Sequence, residues 1–478
     1  MFFLLLFLIP SFFFASSTES RVNLYLHTEL SSLDPYTSTD RRTQTVLRQL
    51  FEGLFRIGKD GQIEPGVAKS VHFSSSTCSY TFSLKQSSWS NGDRVTAHDF
   101  VRGWKKAIDP SAANACAHLF FPIKNAQKAQ QGLCSIEELG VCALDDQTFS
   151  VTLERPCPYF LELLSLPAFS PNPPASHNQY LIGNGPFTLK ERKLGSHLLL
   201  QKNPLHEQAA LIKIDEICFS IIEHPNTAYL LFSEGKLDWY GDPLGIIPLE
   251  LIRSLPNLFN KSVGALYFLS CNTHIPPLDR PQMRAALSDA VHREELCHFL
   301  NGGELPTKHL LANTSYAPNT KPAPPRRLPA SLTLSHWAEP ASRVIAQLLQ
   351  KQIYSTLGIR ITLREYDWAT YLQKLHNKDF ELITATRYPI ISDPQPQLEY
   401  LASSWNNTYF SQLLYQANLT PTKRTALLAE AAQLADKELP IIPLYRLAFK
   451  YAKAPGLQGE VISPTGAVDL RWLEWSRS

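Results

Sequence analysis

Alternating apolar and polar positions predict strands at the start of the chain and again further on. Arg21 to Leu26 alternates in this way, and Tyr80 to Leu84 is a second such run. Asn91-Gly92-Asp93 then predicts a turn. Thr96 is a residue type that favours helix N-termini, and it precedes an apolar-rich stretch that contains Phe100. A strand, a turn and a capped helix are therefore expected in succession.

Apolar residues at helical spacing predict several helices. The stretch from Thr43 to Phe55 places apolar side chains three and four residues apart, and Asp279 to Glu295 does the same. Ser342 to Leu357 has this spacing too and is followed by Gly358, a residue type that commonly ends helices. A further helix is predicted over Thr422 to Glu438.

The region after a Pro-rich, basic segment has the pattern of a β-α-β unit. The segment, Pro318 to Pro329, is expected to be an exposed loop. Ser331 to Ser335 then predicts a strand, the helix from Ser342 follows, and Ile359 to Leu363 alternates as a second strand. Strands joined in this way are parallel, with a right-handed crossover. The elements together indicate the α/β class with α+β elements.

Length and composition indicate a soluble protein of more than one compact unit. A chain of 478 residues is too long for one hydrophobic core, so two or three units are expected. A hydrophobic content of 44% and a charged content of 18% are typical of globular proteins. The formal net charge of +2 is too small to indicate a nucleic acid or a membrane surface as partner. No nucleic-acid partner is therefore expected.

The first residues have the composition of a secretory signal. Phe2 to Phe14 is almost wholly apolar and too short to span a bilayer, and small residues follow it. A signal peptide over residues 1–17, cleaved after Ser17, is therefore predicted. No Lys or Arg occurs before Arg21, which departs from the usual pattern and leaves a membrane anchor or a misplaced start as alternatives. No cysteine lies near the cleavage site, so no lipid anchor is expected.

Cysteine spacing indicates neither a metal site nor a redox motif. None of the eight cysteines is in a CxxC pair, which argues against a zinc site or a thioredoxin-like motif. In an oxidising compartment, Cys134 and Cys142 could close a short local loop. Buried free thiols are an equally good interpretation for most of the eight. The cysteines are Cys78, Cys116, Cys134, Cys142, Cys157, Cys218, Cys271 and Cys297.

The sequence contains no motif of the common enzyme classes. It has no GxSxG elbow, no HExxH pair, no phosphate-binding loop and no GxGxxG fingerprint. Its 14 histidines are scattered, and no nucleophile has a base at a recognisable spacing. An enzyme is therefore not expected, with a secreted hydrolase as the enzymatic alternative. Neither a metal nor a cofactor is predicted.

Short motifs in a fixed order resemble those of one protein family. Trp89-Ser90-Asn91-Gly92-Asp93 and the stretch from Thr96 to Trp104 resemble the signature of the peptide/nickel-binding proteins of bacterial ABC importers, solute-binding family 5. The other motifs are Leu33-Asp34-Pro35, Phe51-Glu52-Gly53-Leu54, Gly183 to Phe187, Arg284 to Leu287, Asp367 to Leu372, Asp379-Phe380-Glu381 and Pro440 to Tyr445. They recur almost from end to end, and the oligopeptide-binding branch is the most similar.

The resemblance implies a two-lobed periplasmic-binding-protein clamp, of the class II or cluster C type, with an additional domain. Its first lobe would be discontinuous, over residues 18–60, 180–265 and 450–478. The extra domain would cover residues 61–179, and the second lobe residues 266–449. Strands that connect the lobes would form a hinge, and a ligand would be trapped between the lobes as they close.

The implied function is that of the substrate-binding component of an ABC transporter in the periplasm. The protein would capture oligopeptides or peptide-like ligands and deliver them to membrane permease and ATPase subunits. In the oligopeptide branch the peptide lies extended, pairs its main chain with the protein and places its side chains in wet pockets. A monomer is expected. Alternatives on the same fold are binding of a murein-derived peptide, a metal chelate, haem or a sugar, or a structural or chaperone-like role.

One departure from the family concerns the carboxylate that receives the peptide's ammonium group. A buried cation needs a buried partner, and in the family an Asp four residues before a proline supplies it. Counting from Trp368, or back from Pro394, puts Ile390 at that position. Asp393 could take the role through a shifted backbone, or it could cap the turn before Pro394. Otherwise the site would prefer a ligand whose amine is blocked or absent, and Arg387 would bind a carboxylate with two hydrogen bonds.

Further candidate ligand contacts follow from their positions in the family pattern. Trp368 could form a broad aromatic pocket wall, with ordinary core packing as the alternative. Arg387 and Tyr388 are candidates through their neighbours alone, with an exposed loop position as the alternative for both. The loop before the first predicted helix matches a segment that contacts peptide main chain in family members. Its candidate residues are Tyr36, Thr39, Asp40 and Arg41.

Overall fold

The structure is a computed structural model that describes residues 20–112, 114–173, 181–255, 257–311, 325 and 327–476. The predicted signal peptide, with its cleavage position after Ser17, lies outside the described residues. Most of the Pro-rich segment from Pro318 to Pro329 lies outside them too, so its exposed position stays a prediction.

Helices and strands are mixed along the described residues, as the predicted fold class requires. The strands are β1 (Arg21–Leu26), β2 (Phe55–Ile57), β3 (Ile63–Pro65), β4 (Ala68–Ser74), β5 (Ser79–Leu84), β6 (Val141–Asp145), β7 (Thr148–Thr152), β8 (Phe187–Lys193), β9 (His197–Lys202), β10 (Glu216–Ile221), β11 (Trp239–Gly241), β12 (Phe259–Cys271), β13 (Leu305–Pro306), β14 (Ser331–Trp337), β15 (Arg360–Tyr366), β16 (Leu382–Arg387), β17 (Ile441–Lys453), β18 (Leu457–Gln458), β19 (Val461–Ile462), β20 (Val468–Asp469) and β21 (Glu474–Trp475). The helices are α1 (Arg41–Leu50), α2 (Ala97–Ile108), α3 (Ala126–Gln130), α4 (Phe160–Leu163), α5 (Pro225–Ser233), α6 (Leu249–Ile252), α7 (Pro281–Asp289), α8 (Arg293–Leu300), α9 (Pro340–Leu357), α10 (Trp368–Asn377), α11 (Gln395–Ser404), α12 (Thr408–Leu419) and α13 (Arg424–Glu438).

The largest sheet is mixed, and its two longest strands are neighbours within it. Its order within the described residues is β11-β17-β12-β16-β14-β15, with β13 also paired to β17. Strands β12 and β17 are each 13 residues long and antiparallel. Val263 and Phe449 pack in one hydrophobic core, whereas Leu269 and Leu444 of the same two strands pack in another. These strands therefore join two separately packed parts of the molecule.

Two smaller sheets support the other parts of the chain. One has the order β1-β10-β9-β8, with β1 parallel to β10, and the other is the antiparallel sheet β4-β5-β7-β6. The core around the latter sheet is built from residues 36–169, with Ile391 joining it from far along the chain. A second core combines residues 22–51, 187–265 and 449–473. The exact boundaries of the lobes and of the extra domain stay a prediction.

The β-α-β unit with parallel strands is confirmed. Strands β14 and β15 are parallel neighbours along their whole length, from Ser331 opposite Arg360 onwards. Helix α9 joins them and ends at Gly358, whose φ of 71° lies in the left-handed region that glycine adopts without steric penalty. The helix begins at Pro340, slightly earlier than predicted, because the Glu339 carboxylate accepts hydrogen bonds from the first free backbone N–H groups.

The helix predicted over Thr43 to Phe55 is too long, because α1 ends at Leu50. The next residues bind a distant loop instead of continuing the helix. The backbone N–H of Glu52 donates to Oδ1 of Asn184 at 3.0 Å, and Nδ2 of Asn184 donates to the carbonyl of Glu52 at 2.8 Å. A buried amide side chain thus satisfies the backbone groups that a further helical turn would have used.

The single helix predicted over Asp279 to Glu295 is also wrong, because α7 and α8 are separate helices. At the break, the backbone N–H of His292 donates to Oε1 of Gln352 at 3.0 Å. The guanidinium of Arg293 donates to the carbonyl of Ser288 at 3.0 Å. These bonds hold the turn between the helices, and apolar spacing alone does not reveal it.

The capped helix that follows the family's signature turn is confirmed as α2. Oδ2 of Asp99 accepts from the backbone N–H of Thr96 at 2.9 Å and from Nε1 of Trp89 at 3.1 Å. Nε1 of Trp104 donates to the carbonyl of Phe169 at 3.0 Å, and both indoles are fully buried. The signature residues therefore organise the core of the predicted extra domain.

A buried ionic cluster, the Glu52 cluster, links the start of the chain to its last strands. It consists of Glu52, Arg56, His206, Asp469 and Arg471. The Glu52 carboxylate lies 2.7 Å from Arg471 and 2.9 Å from Arg56, and Arg471 lies 3.0 Å from Asp469. Burial alone would raise the pKa of Glu52, but Arg471, His206 and Arg56 hold it well below its usual range. Every charge in the cluster therefore has a partner.

All eight cysteines lie within the described residues, where they are free thiols. The pairing of Cys134 with Cys142 is therefore not formed in this structure. The alternative interpretation, buried free thiols, describes Cys116, Cys218, Cys157 and Cys271. Burial raises the pKa of the latter two thiols to about 12, so they are protonated at neutral pH.

Candidate functional site

A chamber of about 590 Å³ lies between the predicted extra domain and the predicted second lobe. This volume is typical of sites that enclose small ligands. We call it the central chamber. Its lining residues are His118, Leu119, Phe121, Pro122, Gln127, Glu154, Arg155, Pro156, Cys157, Tyr159 and Leu163 from one side, and Arg387, Ile390, Ile391, Pro396, Glu399, Tyr400 and Asn418 from the other.

Two of the predicted ligand contacts, Arg387 and Ile390, line the central chamber. Arg387 is the last residue of β16, so its side chain stands at an end of the large sheet. The guanidinium carbon lies 4.0 Å from the centroid of the Tyr400 ring. Burial lowers the pKa of Arg387, and Tyr400 opposes that effect. Ile390 gives the chamber an apolar wall at the position where the family pattern has a carboxylate.

The carboxylates that line the chamber are bonded within the protein. Oε1 of Glu399 accepts from Nε2 of Gln395 at 2.8 Å, and Oε2 accepts from the Tyr159 hydroxyl at 3.3 Å. Burial raises the pKa of Glu399 despite these bonds. Oε2 of Glu154 accepts from the backbone N–H of Asn125 at 3.0 Å.

A further carboxylate, Glu162 of α4, bonds across the two sides of the chamber. Its Oε2 accepts from the backbone N–H of Ser392 at 2.7 Å and from that of Asp393 at 3.3 Å. Burial raises the pKa of Glu162, although both hydrogen bonds favour the charged form. We call this pair of bonds the Glu162 contact. It joins the predicted extra domain to the loop that carries the predicted ligand contacts.

Asp393, the alternative partner for a ligand amine, bonds other groups in this structure. Its carboxylate lies 2.7 Å from Arg424, and Oδ1 accepts from the backbone N–H of Gln395 at 2.9 Å. The second bond is the local cap expected of an Asp before Pro394. Its role toward a ligand stays a prediction.

Arg41 and Tyr388 contact each other away from the central chamber. The guanidinium carbon of Arg41 lies 3.6 Å from the centroid of the Tyr388 ring. Its Nη1 and Nη2 donate to the carbonyls of Gly466 and Thr465, each at 3.0 Å. Burial lowers the pKa of Arg41 to about 10, so the side chain stays charged at neutral pH. Nearby, burial raises the pKa of Asp242 to about 6.

The other predicted residues of the first loop have local contacts. The buried Tyr36 hydroxyl donates to the carbonyl of Ser170 at 3.0 Å. Asp40 caps α1, since its Oδ1 accepts from the backbone N–H of Thr43 at 3.1 Å. Thr39 is exposed between them. None of these three residues lines the central chamber among the residues described.

Trp368 begins α10 and is 52% exposed. Its ring centroid lies 4.7 Å from that of Trp337 and 5.5 Å from that of Tyr371. It therefore belongs to an aromatic surface on the predicted second lobe, and it is not part of the lining of the central chamber. Its role as a pocket wall stays a prediction.

Sequence reasoning missed Tyr159, Glu162, Glu399 and Tyr400. No motif surrounds them, and two of their contacts span long stretches of chain, 240 residues between Tyr159 and Glu399 and 230 between Glu162 and Ser392. The one available signal is that Glu399 and Tyr400 follow Pro394 on the helix next to the predicted contacts.

Neither a metal-binding cluster nor a membrane-crossing helix occurs in the described part of the chain. No group of three His, Cys, Asp or Glu side chains is placed there to hold a metal ion. None of the helices described is both long and apolar enough to cross a bilayer.

Comparison with known proteins relates the chain to bacterial binding proteins. The family model described as "Bacterial extracellular solute-binding proteins, family 5 Middle" matches residues 62–331. The oligopeptide-binding protein OppA of Bacillus subtilis is 29% identical over 95% of this chain and 93% of its own length. The periplasmic murein peptide-binding protein MppA of Escherichia coli is 26% identical over 92% of this chain and 90% of its own.

Solved structures with the same fold cover nearly the whole chain. The murein tripeptide-binding protein MppA of Escherichia coli matches with a TM-score of 0.79 and 25% identity, over 97% of this chain and 99% of the other. A periplasmic oligopeptide-binding protein of Borrelia burgdorferi matches with a TM-score of 0.80 and 24% identity, over 96% and 100%. The latter likeness concerns the fold alone.

Proposed function

The chain belongs to family 5 of the bacterial extracellular solute-binding proteins, and on that basis we propose that it captures oligopeptides or peptide-like ligands as the substrate-binding component of an ABC importer. Its fold is the two-lobed clamp of periplasmic binding proteins. The ligand would be enclosed between the hinged lobes and released chemically unaltered.

The observation that carries this proposal is the central chamber. Residues far apart in sequence, such as His118 and Tyr159 on one side and Arg387 and Tyr400 on the other, enclose one volume. The Glu162 contact spans the same interface. A site shared between two parts of a protein can open and close as they move, which suits capture and release.

Murein-derived peptides are a second candidate cargo within the same class. The support is the similarity to a relative named as a murein peptide-binding protein. Such peptides and ordinary oligopeptides share amide bonds and carboxylates, so one chamber could receive either. Binding measurements with both classes distinguish them.

Altered recognition of the peptide amino terminus is part of the proposal. Ile390 offers no charge to an ammonium group, and the Asp393 carboxylate is bonded to Arg424. A ligand amine would therefore lack a buried partner at this position, which disfavours its burial. Peptides with a blocked amine should bind at least as well as those with a free amine.

The location and the protein partners that we propose are inferred from membership of the family. We propose a periplasmic monomer, secreted through a cleaved signal peptide, that delivers its ligand to permease and ATPase subunits. Size-exclusion chromatography with light scattering on protein from the periplasmic fraction tests the monomer and the location together.

Two measurements test the proposed function directly. Native mass spectrometry of the protein purified from its own host should reveal bound peptide-like cargo. Titration calorimetry with matched free and N-acetylated pentapeptides should then give saturable binding. Binding of free amines alone would contradict the altered amino-terminal recognition, and no binding of any peptide would contradict the function itself.

Catalysis is tested in the same preparation. Peptides incubated with a stoichiometric amount of protein should be recovered intact after denaturation of the complex. Their cleavage at many turnovers per protein molecule would favour the hydrolase instead.

A further inference from the structure

Arg387 is a half-buried cation without a partner of opposite charge among the residues described. Its Nε is inaccessible to solvent and makes no hydrogen bond, and its guanidinium stacks on the ring of Tyr400. Guanidinium groups are rarely buried without a carboxylate, a phosphate or carbonyl oxygens around them. Among the described residues, the Arg387 guanidinium therefore has no hydrogen-bond acceptor.

The histidine on the facing side of the central chamber does not supply the missing charge. His118 lines the chamber opposite Arg387. Burial lowers the pKa of His118, and the positive charge of Arg387 lowers it further. His118 therefore adds no negative charge beside Arg387, and within the described residues no carboxylate contributes to the shift in the pKa of Arg387.

The acidic residues of the chamber have other partners. Glu399 bonds Gln395 and Tyr159, and Glu154 bonds the backbone of Asn125. The described part of the chain therefore supplies no free anion to neutralise Arg387.

We propose that a carboxylate of the ligand binds Arg387 inside the central chamber, so that the protein selects peptides by an acidic group. This inference rests on the proposed function and adds the ligand chemistry to it. The planar guanidinium matches a carboxylate with two parallel hydrogen bonds, and the surrounding apolar side chains strengthen such a pair by excluding water. The carboxylate is either an acidic side chain or the free carboxyl terminus of the peptide.

Matched peptide pairs distinguish the two sources. The probes are alanine pentapeptides with Glu at one position in turn, the corresponding Gln peptides, and each peptide again with an amidated carboxyl terminus. We expect the full-length protein to bind at least one acidic member about tenfold more tightly than its neutral partner in titration calorimetry. A Glu-over-Gln preference identifies a side chain, and an acid-over-amide preference identifies the terminus.

The variant R387M assigns the preference to Arg387. Methionine keeps much of the side-chain length and removes the charge, so the preference should fall to about onefold. R387K keeps the charge but lacks the planar guanidinium with its two parallel donors, and it should retain part of the preference for acidic peptides. The matched control is R364M, because Arg364 is an exposed arginine on β15 of the same sheet and should leave the preference unchanged.

Equal affinities within every pair for the wild-type protein would overturn the inference, even if R387M failed to fold. A preference that survives unchanged in folded R387M would overturn it as well. Either result leaves the proposed function intact, since peptides still bind. If no pentapeptide binds at all, the proposed function fails, and the inference fails with it.

Discussion

The Glu52 cluster and the central chamber both bury charged side chains, but they match those charges differently. In the Glu52 cluster each charge lies within hydrogen-bond distance of an opposite one, and Arg471 lowers the pKa of Glu52. In the chamber, burial raises the pKa of Glu399 and lowers that of Arg387. Burial thus disfavours the charged forms in both regions. Only the Glu52 cluster contains enough oppositely charged partners to overcome that effect.

The difference indicates two uses of buried charge. A matched cluster holds distant segments of the chain together, and removal of one member leaves the others buried without a partner. An unmatched buried charge lowers the stability of the ligand-free protein, and a bound ligand of opposite charge can restore it. Substitutions of the same chemical type should therefore have opposite effects on stability in the two regions.

The largest effect is expected for R471M in the Glu52 cluster. The variant leaves Asp469 buried without its cation and removes one of the cations that contact Glu52, so the free energy of unfolding should fall by about 3–5 kcal/mol. Urea denaturation followed by circular dichroism measures the change. The control is R343M, which removes the exposed pair with Glu365 and should have little effect. Equal changes in both variants would mean that the cluster does not stabilise the fold.

A carboxylate-to-amide pair compares the regions more closely. E52Q should lower the free energy of unfolding by about 1.5–3 kcal/mol, because Arg56 and Arg471 lose a charged acceptor. E162Q keeps a carbonyl oxygen that can accept from the backbone N–H of Ser392 and removes a charge that burial disfavours. Its stability at pH 7 should be equal to or above that of the wild type. Similar losses in both variants would remove the distinction between the regions.

R387M should not destabilise the ligand-free protein. It removes an unpartnered guanidinium, which favours the folded state, and it also removes the stacking on Tyr400, which opposes that gain. The free energy of unfolding should therefore rise by between about 0 and 1 kcal/mol. Thermal and urea unfolding of ligand-free protein test this, and a clear loss of stability would show that Arg387 has a structural partner.

The smallest effect concerns pH. The folded pKa of Glu162 is raised above its ordinary value of 4.5, so the folded state takes up a proton more readily than the unfolded state. The charged form opposes folding above the raised pKa, and this opposition disappears as the pH falls toward 4.5. The advantage of E162Q over the wild type should accordingly shrink between pH 7 and pH 5.

The Glu52 cluster supplies the control for that pH dependence. The pKa of Glu52 is held below its usual range, so its stabilising contribution is complete above the ordinary value and is lost only in stronger acid. The deficit of E52Q should therefore stay constant between pH 7 and pH 5. A growing advantage of E162Q on acidification would contradict the predicted sign.

Sequence reasoning succeeded where the signal is local. Gly358 ends α9, and Thr96 with Asp99 begins α2, because the residues that end or cap these helices lie next to them. The predicted end of the first helix failed because Asn184, 132 residues away, binds the backbone of Glu52. Apolar spacing contains no information about such a partner.

The candidate site shows the same limit. Arg387 and Ile390 could be singled out by their distance from Pro394, and both line the central chamber. The groups that face them, His118 and Tyr159, come from another part of the chain and have no motif of their own. Whether Trp368 and the first-loop residues contact a ligand stays a prediction.

The hydrogen bond between Glu52 and Arg471 joins residues that are 419 positions apart. This bond cannot form until nearly the whole polypeptide, including the last strands, is available to fold. Until then, the segment that follows α1 lacks one of its buried ion pairs. The first segments of the chain should remain accessible to proteases and chaperones until the last strands are available to fold.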